Sequence, residues 1–338
     1  MLGIILTVLG AGLFAYFVYD AGLKKILDGI GKIGFGGFAI ISFIFFLRMF
    51  ARGFAWKLSV YEPYKLNLRD TVPAVIIGEA MSTMIPLGIL VSGTSKAVAV
   101  RNRVPFVVGL SSVATENLFY SLVTGLFIIF GGLAFVRNFQ LADGWIVTID
   151  IVIAVIFALI LLGLLMVIRQ WHFASAICEK IYDKGYFRKF LENGRLHVRL
   201  FENLIYGFYR QYPRRFLPII LAEIVFHLLG IFEVWFILNR IDDAIPELFS
   251  AFLLESASRL ITVVFKLIPF LIGVDEAGAQ FVAENLALAA GIGVTLAIVR
   301  KGKTLFWTAA GLLLVIKRGF SLREIAEIQR ENSQSGDD

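Results

Sequence analysis

The sequence predicts an all-α, polytopic integral membrane protein: a helical bundle with two inverted repeats, each carrying a re-entrant or broken helix. Three observations lead there. Of 338 residues, 58% are hydrophobic and only 17% charged, with a mean hydropathy of +0.81, far from the composition of soluble domains. Several apolar runs approach or exceed the roughly 20 residues that cross a hydrocarbon core. Finally, segments interrupted by proline and glycine recur at corresponding places in the two halves, as in transporters built from inverted repeats. Strands are not expected, because an open sheet cannot satisfy its backbone in lipid and the alternation of an outer-membrane barrel is missing.

The first apolar run, residues 2–18, starts without a basic leader and lacks a clean small-residue cleavage site before Tyr19 and Asp20, so it reads as a retained first helix. Further spans are expected over residues 35–47, 105–135, 145–168 and 216–238. Between them, residues 48–69, 96–103 and 169–215 are basic and are assigned to the cytoplasm, whereas NRIDDAIPE, 239–247, is acidic and faces outward. The longest polar interval, 169–215, mixes Arg and Lys with Trp, Phe and Tyr. It suits one or two amphipathic helices on an anionic leaflet, or a solvated basic connector. The net charge of +6 sits beside apolar spans, which points to a membrane surface rather than to nucleic acid.

With both flanks cytoplasmic, TVPAVIIGEAMSTMIPLGILVSGTSKA cannot cross once. It either enters, breaks near Pro86 and Gly88 and leaves on the same side, or forms a loop and a short span. Irregular backbone at membrane depth is tolerated only when buried in protein or lining a cavity. An internal echo supports the broken-helix reading. ENLFYSLVTGLFII from Glu116 lies over KTLFWTAAGLLLVI from Lys303, and upstream stand IPLGILVSGTSKA and IPFLIGVDEAGAQ. The repeat cores are accordingly residues 70–136 and 250–318, followed by a polar tail over 319–338, all within one transmembrane domain. A long helix over residues 292–316 places Arg300, Lys301 and Lys303 near the midplane, and the same construction puts Glu116 and Asn117 mid-helix.

Charged groups inside a bilayer are costly and usually face a cavity and a partner. Glu255, Arg259, Thr262 and Lys266 follow helical spacing and form one stripe, with Glu255 four residues ahead of Arg259, the favourable order for an ion pair. Glu79, Ser82, Thr83 and Pro86 form a comparable stripe. Both fit a polar groove that passes a headgroup or ion, and both also fit interhelical hydrogen bonds that lock a bundle. Glu223, His227 and Gly230 share a face; the first two could relay protons or serve helix packing. Asp275 and Glu276 follow Pro269 and Gly273, where a broken helix exposes N–H groups. Asp275 is expected to cap that helix and Glu276 to face the cavity.

Soluble-enzyme chemistry finds little support. No Walker loop, zincin motif or nucleophile elbow occurs. The lone Cys178 and the scattered His172, His197 and His227 argue against a metal site. The expectation is therefore a protein that is not an enzyme and uses no cofactor or metal.

The chain resembles the flippase-like membrane family that includes the transmembrane region of lysylphosphatidylglycerol synthases, over residues 45–316. LRMFARGFAWKL resembles the family's arginine and tryptophan segment. IPLGILVSGTSKA resembles its Pro-Gly-x-x-Gly-Glu-x-x-Arg-Ala stretch with Pro86, Gly93 and Lys96 in register, and VATENLF its Glu-Arg-Leu pattern through Glu116. IPFLIGVDEAG resembles Pro-Gly-Gly-x-Gly-x-x-Glu through Pro269, Gly273 and Glu276, and LAIVRKGKTLFWTAAG the late arginine segment through Arg300. The first motif lacks its acidic residue and has Lys for Arg, its glycine is displaced to Gly88, and Asn117 replaces an arginine. With no transferase domain after residue 338, the resemblance implies translocation without lipid modification.

The expected function is a lipid translocase of the cytoplasmic membrane, moving a phospholipid, glycolipid or isoprenoid-type lipid. Its rivals are a non-flipping accessory protein of lipid biosynthesis and an ion-coupled small-solute carrier using Glu223 and His227. Substrate contacts are expected from Glu79, Ser82, Lys96, Glu116, Asn117, Arg259, Lys266, Glu276, Arg300 and Lys303, with Glu116 and Arg300 balancing each other. Breaks are expected at Pro86, Gly88, Gly93, Pro269 and Gly273. Partners compatible with this reading are a membrane lipid, the anionic leaflet, a lipid-biosynthesis enzyme and a second copy of the chain.

Overall fold

The computed structural model describes Tyr19 and residues 23–84, 88–139, 142–184, 188–241, 247–265, 268, 271–289 and 291–317. The expected first helix, Pro86, Lys266, Pro269, the acidic residues 242–246 and the polar tail lie outside the described residues. All regular structure among the described residues is helical. In chain order the helices are α1 Leu23–Leu58, α2 Leu68–Met84, α3 Gly88–Ala99, α4 Phe106–Asn138, α5 Asp143–Arg169, α6 Phe173–Asp183 and α7 Arg188–Gln211. They continue with α8 Phe216–Ile241, α9 Leu248–Val264, α10 Val274–Asn285 and α11 Ile292–Lys317.

Four of these are long and apolar enough to cross a membrane: Ile30–Leu58, Phe106–Asn138, Gly144–Arg169 and Pro213–Ile241. They coincide with the apolar runs except at α1. That helix continues well past Leu47, through Arg48 and Arg52, because both arginines find carboxylates inside the bundle. The placement of Arg48 and Arg52 on a solvated cytoplasmic flank is thereby corrected. At its other end α1 is kinked at Gly34, whose φ of 59° and ψ of 179° lie where a side chain would be strained.

Basic residues collect at one end of the bundle. There the segment after α1 meets the end of α7, through Tyr61 Oη donating to Gln211 Oε1 at 2.8 Å. Arg215 donates to the Val60 carbonyl at 3.0 Å and pairs with Glu62. Arg103 Nε lies 3.5 Å from Asp70 Oδ1, so the entry to α2 and the exit from α3 stand side by side, and α2 packs along α3. The opposite end is an apolar cluster. It takes Ile33 and Ile41 from α1, Phe135 from α4, Leu238 and Ile241 from α8, Leu254 from α9, Val282 from α10 and Ile292 from α11. The α9–α10 pair and the start of α11 therefore gather at the end away from α2 and α3.

The packing partners are reciprocal. α1 packs on α2 and α8 on α9; α1 runs against α8; α2 packs on α3 and α9 on α10; α3 packs on α4 and α10 on α11. Across the molecule α4 packs on α8 and α9, and α11 on α1 and α2.

The interval 169–215 forms α6 and α7, which pack on each other. Glu202 of α7 accepts the Ala174 and Ser175 N–H groups at 2.8 and 3.4 Å, which satisfies the first turn of α6 with a carboxylate. Phe208 of α7 inserts beside Ala55, Phe119 and Ile219, tying this layer to α1, α4 and α8. Leu196, Leu200, Phe173 and Ile177 stay exposed. α5 packs principally on α4, and none of its apolar window is buried within the chain.

Candidate functional site

Between the basic end and the apolar end lies a layer of charge. Glu255 on α9 accepts three arginines from three helices: Arg48 Nη2 of α1 at 3.0 Å, Arg259 Nε of α9 at 2.8 Å and Arg300 Nη2 of α11 at 2.7 Å. Glu233 on α8 takes Arg48 Nη1 at 3.3 Å, lies 3.7 Å from Arg300 Nε and pairs with Lys303. The Glu255–Arg259 pair is the helical pair its spacing predicts. Arg300 also donates to Ser258 Oγ at 3.0 Å, and Ser258 in turn to Asp275 Oδ1 at 3.1 Å.

This crossing is possible because position 230 has no side chain: a Cβ there would stand 2.3 Å from Glu255 Oε1 and 3.0 Å from Arg48 Nη2. Gly230, grouped by sequence with Glu223 and His227, thus makes room for the network.

A second group adjoins the first. Arg52 donates through Nε and Nη2 to Glu116 Oε1 at 2.9 and 2.7 Å and to Asn117 Oδ1 at 3.0 Å. The Lys96 ammonium lies 3.9 Å from Glu116 Oε2. Aromatic faces join the two groups: Tyr120 lies 4.1 Å from the Arg52 guanidinium carbon, and Phe226 lies 4.4 Å from that of Arg48, distances at which a ring face attracts a cation. Glu116 and Arg300 therefore do not balance each other. Each is neutralised by nearer helices, Glu116 by α1 and α3 and Arg300 by α8 and α9.

A cavity of about 330 Å³ opens within this layer. Arg48, Arg52, Lys96, Arg259, Arg300, Lys301 and Lys303 all line it, whereas its acidic lining is Glu79 and Asp275. Glu116, Glu233 and Glu255 stand behind their cations. Of the residues singled out from sequence, Glu79, Ser82, Thr83, Lys96, Asn117, Arg259, Thr262, Asp275, Arg300, Lys301 and Lys303 reach the cavity wall. Glu116, Glu223, His227 and Glu276 are buried but do not line it. His227 is held by Thr124 Oγ1 at 3.0 Å and stacks on Phe127.

The expected roles of the paired carboxylates are exchanged. Gly273, with φ of 83°, precedes α10, and its N–H donates to Glu276 Oε2 at 2.8 Å. The third helical residue has the reach to turn back on the residue before the helix. Glu276 is thus the capping carboxylate, paired as well with Lys301, and Asp275 is the one at the cavity. Gly93 is corrected too: it lies inside α3 rather than at a break, facing Val113 of α4.

Sequence reasoning missed Arg48, Arg52, Glu233, Tyr120 and Phe226. Arg48, Arg52 and Glu233 carried a usable signal, one or two charges within a long apolar run, in FIFFLRMFARG and LLGIFEVWF.

A second space, about 730 Å³, lies between α4, α5, α7 and α8 and is almost wholly apolar. Tyr206, Tyr209, Arg210 and Gln170 line it where α7 and the end of α5 meet it. Burial raises the phenol of Tyr206 above its ordinary value, with Glu202 adding to the effect, and burial does the same for Tyr209, so both stand as neutral hydroxyls.

A bundle of apolar helices around a cavity lined by cations and backed by carboxylates defines a polytopic helical membrane protein with a charged interior. The chain belongs to the family described as the lysylphosphatidylglycerol synthase TM region, whose profile matches residues 1–311. That membership makes it a membrane protein of lipid-related biosynthesis or transport. No curated protein and no solved structure matches the chain.

Proposed function

We propose that the protein is a lipid translocase, passing the headgroup of a phospholipid, glycolipid or isoprenoid-type lipid between the leaflets of the cytoplasmic membrane without making or breaking covalent bonds. The observation that carries this reading is the cavity itself. Seven cationic side chains, most of them braced by carboxylates behind, line it within a layer flanked by apolar packing, where charged groups are costly and commonly mark a polar pathway.

The arrangement of helices supports the rest. The entry of α2 and the exit of α3 adjoin at the basic end, and α3 has 12 residues, about 18 Å at the helical rise and too short for a span; this favours a re-entrant hairpin. The reciprocal packing of α1–α4 and α8–α11, with their hairpins at opposite ends, favours inverted repeats. The concentration of basic residues favours placing the α2–α3 end in the cytoplasm, where the exposed apolar side chains of α6 and α7 would rest on an anionic leaflet.

An ion-coupled solute carrier finds less support. Glu223 and His227, its natural relay, are packed away from the cavity wall.

The test is leaflet exchange of a fluorescent phospholipid in vesicles containing the purified protein. Exchange above that of empty vesicles is expected, and Arg259→Gln should lower it several-fold. Arg300→Ala is a poorer probe than its sequence position implies, because Arg300 bridges Glu233 and Glu255. An accessory protein that only presents lipid to an enzyme would leave vesicle asymmetry untouched, an outcome that would sink the translocase reading.

A further inference from the structure

The apolar space between α4, α5, α7 and α8 and the cationic cavity are neighbours. Tyr120, Ser121 and Val263 line both, so the partition between them is a single layer of side chains. A ligand that filled both would need a hydrocarbon chain at one end and a polar group at the other. The groove is also laterally placed, because its outer wall is α5, which packs principally on α4 and presents Ile156, Ile160 and Leu164 across the gap.

The donors left at the cavity identify the polar group. Most cations there already serve carboxylates; among the described residues Arg259 is the arginine of the cavity wall that leaves both terminal nitrogens unbonded, and Lys96 is the lysine without a carboxylate within hydrogen-bond length. Lys96, buried to 2% exposure, has its carboxylate neighbour at 3.9 Å, beyond hydrogen-bond length. Arg259 binds Glu255 through Nε; among the described residues its Nη1 and Nη2 make no hydrogen bond, and the residue lines the cavity. A guanidinium edge with two free nitrogens matches two oxygens of a phosphate, and the Lys96 ammonium on the wall of the same cavity adds a point charge. A neutral headgroup could offer oxygen acceptors but no negative charge to compensate these cations, and bonds to an anion are the stronger ones.

We infer that the apolar groove holds the hydrocarbon chain of a lipid whose phosphate, as monoester or diester, is held in the adjoining cavity by Arg259 and Lys96. The inference rests on the cavity being a headgroup site and adds the chain subsite and the anionic chemistry. Gly163 provides the decisive position. It lines the groove, and a Cβ built there has no atom within 4 Å, so a side chain added at this position starts in open space, and Gly163→Trp is the change chosen to occupy the groove.

The experiment measures binding to the purified full chain in maltoside micelles by native mass spectrometry, with hexadecyl phosphate, hexadecanol and butyl phosphate as probes. The parent protein should retain hexadecyl phosphate in preference to hexadecanol. Gly163→Trp should weaken hexadecyl phosphate by about tenfold or more, since excluding even a couple of buried methylenes has that effect, and leave butyl phosphate unchanged. Arg259→Gln should weaken both phosphates. Equal binding of hexadecyl phosphate to parent and Gly163→Trp overturns the chain subsite, and retention of hexadecanol as strong as that of hexadecyl phosphate overturns the phosphate. Exchange by the parent in vesicles together with either result removes this inference alone; binding as expected without exchange removes the translocase reading alone.

Discussion

Replacing Glu255 by glutamine should be among the most destabilising single changes available in this chain. The carboxylate accepts from Arg48, Arg259 and Arg300 at 3.0, 2.8 and 2.7 Å. Hydrogen bonds to charged groups contribute about 1.5–3 kcal/mol each, so losing all three outright would cost roughly 4.5–9 kcal/mol. Glutamine keeps one oxygen as an acceptor but turns an N–H₂ toward at least one arginine, and water entering the adjoining cavity would soften the loss. The expected net cost is about 3–5 kcal/mol, the range for removing one partner of a buried ion pair. That is roughly two to three and a half orders of magnitude in the unfolding equilibrium. The assay is reversible unfolding in mixed micelles of increasing dodecyl sulfate fraction, followed by tryptophan fluorescence. Adding Arg300→Gln should recover part of the loss, because it removes a cation that the first change left unpaired. A loss of less than about 1 kcal/mol for Glu255→Gln, with no coupling to Arg300, would refute the idea that this carboxylate holds three helices together.

Gly230→Ala should cost about 1–3 kcal/mol by forcing Glu255 away from its arginines, and in the same unfolding assay should cost far less when Glu255 is already alanine. Trp56→Phe removes the bond from Trp56 Nε1 to Ser112 Oγ at 2.8 Å and should lower stability by about 1–2 kcal/mol, measured as a shift in unfolding midpoint. Arg199→Ala, by contrast, breaks an exposed pair with Glu179 and should change stability by less than about 0.5 kcal/mol; a larger loss would mean that α6 and α7 depend on that pair.

The long spans were legible because length and apolarity alone decide them: residues 145–168 foretold α5 and 216–238 foretold α8 nearly to their ends. The α1 span was read too short. Arg48 looks like the end of an apolar run until Glu233 and Glu255, far away in sequence, are known to stand beside it. The same lack of long-range information explains why Glu116 and Arg300 were set against each other when each had a closer partner on another helix. At residues 273–276 the composition revealed a helix start, but which of two adjacent carboxylates turns back depends on a register of one residue. Gly230 looked like one member of a polar face, whereas its role is fixed by atoms of α9 and α1 that no local pattern reveals.

The vertex at Glu255 also governs how the bundle can deform. Its three arginines come from α1, α9 and α11, so drawing α1 or α11 away from α9 leaves Glu255 short of a cation and Arg48 or Arg300 with Glu233 as its remaining carboxylate, in surroundings that penalise the loss. Such a displacement costs less when a substitute anion arrives in step with it. On the translocase reading proposed above, a negatively charged guest would act as a counterweight that lowers the barrier to such a rearrangement.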